Sequence, residues 1–335
     1  MPSSSPSSAS ILVVGATGNT GTGAVKWLSH LLSSSSVPAP SSSPLSASVT
    51  PPRVVALTRH ADSKAAKNLA KLDHVEVVQK DWMEIDSEWL VQSRVSRVYI
   101  APHNLPSQFV DESRFLIACR DAKVEYLVKL STNGPFIAPD SPLYYGRSHW
   151  AVEQLLRKPE FSSMPSTILR ANVFINSLVQ PSISFIRENF QAGGAVDRPS
   201  VRLLMSKDAP VALVDPKDVG AAAAALLALP DPSAHHGHTY NLSGPNDVSG
   251  EDIVRMIEAK LGEKLTVDYK SMTLANELLD KANCPQNVSK SIKLSYTEFL
   301  WKGVSRLSKT ESSPELLQLN IPRSTVEEYI DQAFE

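Results

Sequence analysis

Gly15-Ala-Thr-Gly18-Asn-Thr-Gly21 is the stretch whose reading decides the fold. It follows Ser10-Ile-Leu-Val-Val14, a short apolar run of the kind that a strand buried on both faces shows. It opens a segment with Val25 and Leu28 at helical spacing. Strand, glycine loop and helix in that order form a dinucleotide-binding unit, in which each glycine has its own task. One permits the tight turn, one lets the backbone approach a pyrophosphate, and one allows close helix–strand packing. The helix N-terminus adds free N–H groups and a positive dipole end, so Gly15, Thr17, Gly18, Asn19, Thr20 and Gly21 are candidate cofactor contacts.

Working outward, further apolar runs follow at Arg53 to Thr58, His74 to Val78, Arg97 to Ala101 and Glu125 to Ser131, with a sixth at Ser166 to Ala171. Amphipathic segments lie between them, such as Phe109 to Ala122 with Phe109, Phe115, Leu116 and Cys119 on one face. Alternating strands and helices predict an α/β fold, a Rossmann-type doubly wound parallel sheet with helices on both faces. The second half predicts a smaller mixed α/β lobe: an Ala-rich helix at Pro216 to Leu229, strands at Thr239 to Leu242 and Leu265 to Tyr269, a capped helix from Ser249 to Gly262, and a capping box at Ser324-Thr-Val-Glu327. The division expected is a disordered tail at 1–9, a nucleotide-binding domain at 10–172, and a substrate lobe at 173–335 with some segments returning to the first domain.

Residues 33–52 interrupt the rhythm with nine Ser, five Pro and no charge in 20 positions, and read as a disordered surface insertion. That reading bears on the cofactor. The residue that selects between NAD and NADP stands roughly 20 positions after the fingerprint, at the end of the second strand. Gly15 to Arg59 is 44 positions, and subtracting the 20 of the insertion leaves 24. An Arg stands there instead of an acid; its guanidinium suits a 2′-phosphate, so NADP(H) is favoured over NAD. Asp81 is a candidate for capping the adenine together with Trp82, or a loop and N-cap residue. In open parallel sheets ligands sit outside the carboxyl ends of the strands. That places Ala101 and Pro102, with His103 and Asn104 after them, along the cofactor, and Ser131 or Thr132 near its reacting end. Tyr145 and His149 are spaced i, i+4 on one helix face, where either could serve as proton donor, with Ser131 as a third catalytic candidate. Glu153, four residues on, is a candidate to orient His149. For each of these side chains a packing role stands beside the functional one.

Composition narrows the class. Hydrophobic residues make up 42 % of 335, enough for a full core. The formal charge of -2, from 33 basic and 35 acidic residues, argues against a nucleic-acid or polybasic membrane binder. Two cysteines, Cys119 and Cys284, form no disulfide framework and read as buried small residues. The longest apolar run, Val219 to Leu229, is far short of a bilayer span, and the start carries no Lys or Arg before its first apolar stretch, so a cytoplasmic protein is expected. His235, His236 and His238 lie in a Pro/Ser-flanked turn without an acidic or thiol partner, and no metal site is expected there.

On these residues the chain resembles the NmrA-like family of atypical short-chain dehydrogenases/reductases, over roughly residues 10 to 270. The resemblance rests on the loop at 15–21, Leu57-Thr58-Arg59, Ser148-His-Trp-Ala-Val-Glu153, Ile168-Leu-Arg170-Ala-Asn172-Val-Phe174-Ile-Asn176 and Val214-Asp215-Pro-Lys-Asp218-Val-Gly220. It implies NADP binding, with Asn172, Val173 and Phe174 near the nicotinamide and the second lobe shaping a pocket for a hydrophobic small molecule. The family includes fungal regulators, redox sensors and reductases of fungal secondary metabolism. Active short-chain dehydrogenases carry Tyr-x-x-x-Lys; this chain has Tyr145-x-x-x-His149. Three activities follow as expectations: reduction of a carbonyl or imine; a cofactor-binding redox sensor with a regulatory protein partner and no turnover; or non-redox acid/base chemistry such as isomerisation, cyclisation or dehydration.

Overall fold

The computed structural model describes residues 9–34, 52–190 and 198–335. The expected tail and the Ser/Pro-rich insertion therefore lie almost wholly outside the described residues.

Seven parallel strands form the main sheet: β1 (Ser10–Val14), β2 (Arg53–Thr58), β3 (Val75–Gln79), β4 (Val95–Ile100), β5 (Tyr126–Ser131), β6 (Ser166–Ala171) and, beyond the two-residue β7 (Val201–Arg202), β8 (Thr239–Leu242). Their order is β3-β2-β1-β4-β5-β6-β8, all pairs parallel. This is the Rossmann order, and its direction reverses between β1 and β4, where a crevice opens at the carboxyl ends. The alternation of side chains across the pleat divides the core. Ile11, Val13, Tyr99, Tyr126, Val128 and Leu169 face one side, against α1 (Asn19–Ser34). Leu12, Val14, Val98, Ile100 and Leu127 face the other. The short α2 (Lys64–Leu69) joins α1 on the first side through Leu69, and the second side is covered by the short α3 (Ser87–Gln92) at the edge, then α4 (Gln108–Asp121) and α5 (Tyr144–Leu156).

After β6 the chain builds the smaller lobe from α6 (Ile175–Leu178) and α7 (Gln180–Asn189), then returns to the sheet as α8 (Pro216–Ala228). The helix α8 packs on α1 nearly backbone to backbone. A Cβ on Gly220 would stand 2.2 Å from the Thr20 carbonyl oxygen, and one on Gly23 2.6 Å from that of Lys217. The expected glycine task of close packing is thus carried by Gly23 and Gly220 as well as by the loop. Asp215 caps α8 by accepting from Lys217 N at 2.8 Å, and buried Asp218 accepts from Ser324 N at 2.6 Å. After β8, α9 (Gly250–Leu261), the two-residue β9 (Val267–Asp268), α10 (Met272–Lys281), α11 (Gln286–Glu298), the short α12 (Leu307–Thr310) and α13 (Pro314–Leu317), and α14 (Val326–Phe334) complete the chain. A third core, with Ile183, Leu203, Leu213, Ile253, Leu300 and Ile330, fills the lobe.

Some expectations need correction. The strand read over Leu265 to Tyr269 is only Val267–Asp268, because its partner among the described residues, β7, offers two residues. The third strand starts at Val75, since His74 adopts a left-handed φ of 63° that ends the preceding turn. Phe109 is not on the buried face of α4: it is exposed, and Phe115, Leu116 and Cys119 carry the packing. Cys119 is buried, but Cys284 sits partly exposed at the turn between α10 and α11.

Candidate functional site

The crevice is made by tight backbone contacts. Gly15 has a left-handed φ of 75°, and a Cβ there would lie 2.9 Å from the Ala101 carbonyl oxygen at the end of β4. A Cβ on Gly21 would fall 2.0 Å from the Gly15 oxygen and 2.8 Å from the Ala16 Cα. The loop closes with Gly18 N donating to Gly15 O at 2.9 Å. The N–H groups of Asn19, Thr20 and Gly21, in the first turn of α1, have no acceptor inside the helix. No acidic residue stands in that turn to occupy the dipole end. Gly18 and Asn19 are exposed. Asn176 Nδ2 donates to Asn19 Oδ1 at 3.1 Å, so the start of α6 reaches across to the loop.

Around this cradle the predicted residues take definite places. Arg59 follows β2, exposed, and among the described residues no carboxylate pairs with it. Asp81 N-caps the short turn Trp82–Glu84 through Met83 N at 3.0 Å, which is the N-cap alternative of its two readings. The Trp82 ring leans toward His103, with centroids 5.6 Å apart, and meets Phe115 edge-on at 5.8 Å. Thr17 Oγ1 lies 3.4 Å from Thr58 Oγ1 beside the loop.

Two predicted cofactor side chains point elsewhere. The Thr20 hydroxyl accepts from the fully buried Tyr99 OH at 2.9 Å, leaving its backbone N–H as the group on the loop. The buried Asn172 carboxamide ties the end of β6 to segments that follow β5 and β8. Its Nδ2 lies 3.1 Å from Ser243 Oγ, 3.0 Å from the Ser305 carbonyl oxygen and 2.9 Å from Thr310 Oγ1. Its Oδ1 accepts from Asn133 Nδ2 at 2.9 Å and Val173 N at 2.8 Å. Val173 and Phe174 follow, half-buried, with Phe174 bridged to Val214.

The three catalytic candidates lie in three environments. The Ser131 hydroxyl is buried and donates to Glu153 Oε1 at 2.7 Å; Arg170 also holds that carboxylate, Nη2 to Oε2 at 2.5 Å. Glu153 therefore does not orient His149: its lone pairs are committed to Arg170 and Ser131. The Tyr145 ring is buried against Phe136 in the second lobe's core. Burial raises its phenol pKa far above the ordinary value, with a hydrogen bond to Ser295 opposing. It shares a helix with His149 but points toward α11. His149, also buried, points instead between α4 and β5. Its Nε2 lies 3.3 Å from Oδ1 of the exposed Asn104, at the crevice. Its Nδ1 lies 3.2 Å from Lys129 Nζ, and Lys129 Nζ is 2.8 Å from Glu112 Oε1, both side chains fully buried. Gln108 Nε2 lies 3.3 Å from Glu112 Oε2 and within hydrogen-bond distance of the imidazole. Sequence reasoning passed over Lys129 and Glu112. The signal was there: a Lys inside the apolar strand Tyr126-Leu-Val-Lys-Leu-Ser131, and a Glu on the α4 face that carries Phe115 and Leu116.

Burial, and secondarily the neighbouring Lys129 charge, lowers the His149 pKa well below its usual value. The folded protein thus declines a proton that the unfolded chain accepts below about pH 6.5. Stability carried by this site is full above that pH and is lost as the pH falls through it, with a limiting slope of about 1.4 kcal/mol per pH unit. His149→Gln is expected to flatten the dependence of the denaturation midpoint on pH between 7 and 5. Equal slopes for the two proteins would refute this assignment.

His235, His236 and His238 have other partners: His235 Nδ1 lies 2.8 Å from Tyr240 OH, His236 Nδ1 accepts from Ser166 N at 3.1 Å, and His238 stacks on Tyr240. Among the described residues no helix is long and apolar enough to cross a membrane.

With this geometry in place, the comparisons with known proteins speak to the class. The model of the NmrA-like family matches residues 7–330, and the chain belongs to that family. A (4-alkanoyl-5-oxo-2,5-dihydrofuran-3-yl)methyl phosphate reductase of Streptomyces griseus is 30 % identical over 169 residues, covering 50 % of this chain and 54 % of that protein. An NAD(P)H azoreductase of Xenophilus azovorans is 26 % identical over 204 residues, covering 60 % of this chain and 64 % of that protein. The aligned part thus spans between half and two thirds of these curated relatives. Among solved structures, an NADPH-dependent quinone oxidoreductase of Escherichia coli in complex with NADPH has a TM-score of 0.67 at 19 % identity, over 97 % of this chain and 100 % of that one. The triphenylmethane reductase of Citrobacter sp. in complex with NADP(H) also scores 0.67, at 21 % identity, over 97 % and 99 % of the two chains. NmrA, a negative transcriptional regulator, scores 0.65 at 14 % identity, over 96 % and 94 %. These likenesses show the fold.

Proposed function

We propose that this chain is an NADP(H)-dependent oxidoreductase that reduces a carbonyl, an imine or a similarly conjugated acceptor on a hydrophobic small molecule. The observation that carries the reading is the crevice itself. Free N–H groups at the start of α1 face a cradle that a single Cβ on Gly15 or Gly21 would fill, and exposed Arg59 stands at the end of the neighbouring strand. Residues 15–21 would bind the pyrophosphate, Arg59 the 2′-phosphate, Ala101 and Pro102 the ribose side, and Val173 and Phe174 the nicotinamide end. Asp81, Trp82 and His103 would border the adenine or ribose. The bound nicotinamide supplies the hydride. The chain's part is to orient the acceptor and deliver a proton, and His149 Nε2, at the crevice edge beside Asn104, is the group placed to do so. The named relatives, a furanone-phosphate reductase, an azoreductase, a quinone oxidoreductase and a triphenylmethane reductase, support a conjugated acceptor.

The decisive test is a fluorescence titration with NADPH, NADH and NADP+ on the wild type and Arg59→Ala. Micromolar NADPH affinity that falls at least about tenfold in the variant, with NADH little changed, is expected from the loss of a charge-assisted phosphate contact. Absence of any nicotinamide binding would sink the proposal. One observation favours a second reading, a cofactor-binding sensor without turnover: the Tyr145 hydroxyl is enclosed in the lobe's core, so the tyrosine of a Tyr-x-x-x-Lys element has no counterpart at the crevice. NADPH binding with no oxidation of NADPH across a panel of quinones, azo dyes and aldehydes would favour that reading.

A further inference from the structure

The pleat of β5 sends Leu127, Lys129 and Ser131 to the same side of the sheet, beneath α4 and α5. Leu127 packs and Ser131 bonds to Glu153, but Lys129 places an ammonium in the interior. Three groups surround its Nζ: the Leu130 carbonyl oxygen at 2.9 Å, His149 Nδ1 at 3.2 Å and, as an ion pair, the Glu112 carboxylate with Oε1 at 2.8 Å. An ammonium has three N–H donors and no lone pair, so this set fits its charged form. It also favours one tautomer of the imidazole: Nδ1 faces a group that can only donate and so accepts, which puts the single ring proton of neutral His149 on Nε2, 3.3 Å from Asn104 Oδ1 and as far from Gln108 Nε2. The other groups packed around the ring are Gln108 and Glu112 on α4. Glu153, one turn on along α5, is held by Arg170, and Asp111 by His103.

We propose that Lys129 is a positioning residue that holds His149 as a neutral Nε2–H donor and resupplies its proton through Nδ1. The inference rests on the reductase reading above. As the reduced acceptor gains negative charge on its oxygen or nitrogen, that atom takes the proton from Nε2, and the N–H electron pair stays in the ring. Nδ1 takes a proton from Lys129 Nζ, which is left as a neutral amine beside the Glu112 carboxylate. A proton from solvent at the crevice is then taken up by Nε2 beside Asn104, and the Nδ1 proton passes back to Lys129 Nζ to restore the ammonium. A buried charge that the Tyr-x-x-x-Lys pattern places on the helix comes here from the adjacent strand, one step behind the histidine.

The test is the ring itself. In the full chain without cofactor, labelled with 15N-histidine, His149 is identified by the signal that His149→Gln removes. Its long-range 1H–15N correlations from pH 5 to 9 are expected to show the Nε2–H neutral tautomer throughout. In Lys129→Met/Glu112→Leu, which removes the pair together and strands no charge, Nδ1 loses the donor that fixes it, and the Nδ1–H tautomer is expected to become populated. With NADPH and a simple para-quinone, kcat of this double variant is expected to fall at least about tenfold, as for loss of a proton-transfer partner, with NADPH affinity within about twofold of wild type. An Nδ1–H tautomer in the wild type, or a wild-type ring that titrates at the ordinary histidine value, overturns the proposal. So does a double variant with unchanged kcat at every pH. The wild-type spectrum needs no variant to fold. NADPH binding without quinone reduction in the wild type would fail the reductase reading and overturn the resupply step, while the tautomer would still report whether Lys129 positions the ring.

Discussion

Gly21→Ala is expected to weaken NADPH binding by at least about a hundredfold and to lower the melting temperature as well. The added Cβ would lie 2.0 Å from the Gly15 carbonyl oxygen, 2.7 Å from its carbon and 2.8 Å from the Ala16 Cα. All three are backbone atoms, so no side chain can rotate out of the way. Either α1 slides outward or the loop opens, and both move the N–H groups of Asn19 and Thr20 that would grip the pyrophosphate. Overpacking of this kind costs about 1–3 kcal/mol or more, and each 1.4 kcal/mol is about tenfold in affinity. Calorimetric titration with NADPH and a thermal melt read the two effects separately. Affinity within about threefold of wild type would mean that Gly21 does not shape a nucleotide site.

The second large effect concerns Glu153. Its fully buried carboxylate accepts from Ser131 Oγ at 2.7 Å, Arg170 Nε at 3.1 Å and Arg170 Nη2 at 2.5 Å, with Arg157 at 3.7 Å. Glu153→Ala leaves the Arg170 guanidinium, whose side chain is 25 % exposed, without its counter-charge and leaves the Ser131 hydroxyl without its acceptor. Removing one partner of a buried pair costs about 3–5 kcal/mol; the partial exposure of Arg170 puts the expectation at the low end, about 3 kcal/mol. Urea unfolding should show it as a lower midpoint at unchanged slope. Glu153→Gln, which keeps one acceptor for Ser131, should recover part of the loss. A loss under about 1 kcal/mol in Glu153→Ala would place the pair among surface-type ion pairs.

The two predictions mark what was legible in the sequence. The glycine loop, Arg59 and all seven strands of the main sheet could be read directly, although Thr239 to Leu242 reads as part of the smaller lobe and pairs instead with β6. A parallel sheet covered on both faces demands continuous apolar runs, and tight turns demand glycine at fixed offsets. The side-chain partners could not be read. Glu153 lies four residues from His149 on the same helix, and i, i+4 spacing suggested a pair, yet it bonds to Arg170 on β6. Lys129 and Glu112 belong to different elements, and nothing in local spacing brings a strand lysine to a helix glutamate. Tyr145 and His149 share a helix face, but which body of protein covers each end of that face is decided by α11, more than a hundred residues later. Local rules locate the cradle. Long-range packing decides which side chains reach it.

The amide cluster around Asn172 has a consequence for how the protein is made. The carboxyl end of β6, just before Val173 and Phe174, is secured by Ser305 and Thr310. Leu316 is fully buried against the first core. During synthesis the glycine loop leaves the ribosome well before residues 305–310, which supply the donors and acceptors that fasten β6. Until residues 305–316 are free, Asn133 and Asn172 have no complete set of partners. The nascent chain can form the first strands and helices before the end of β6 has the partners that hold it.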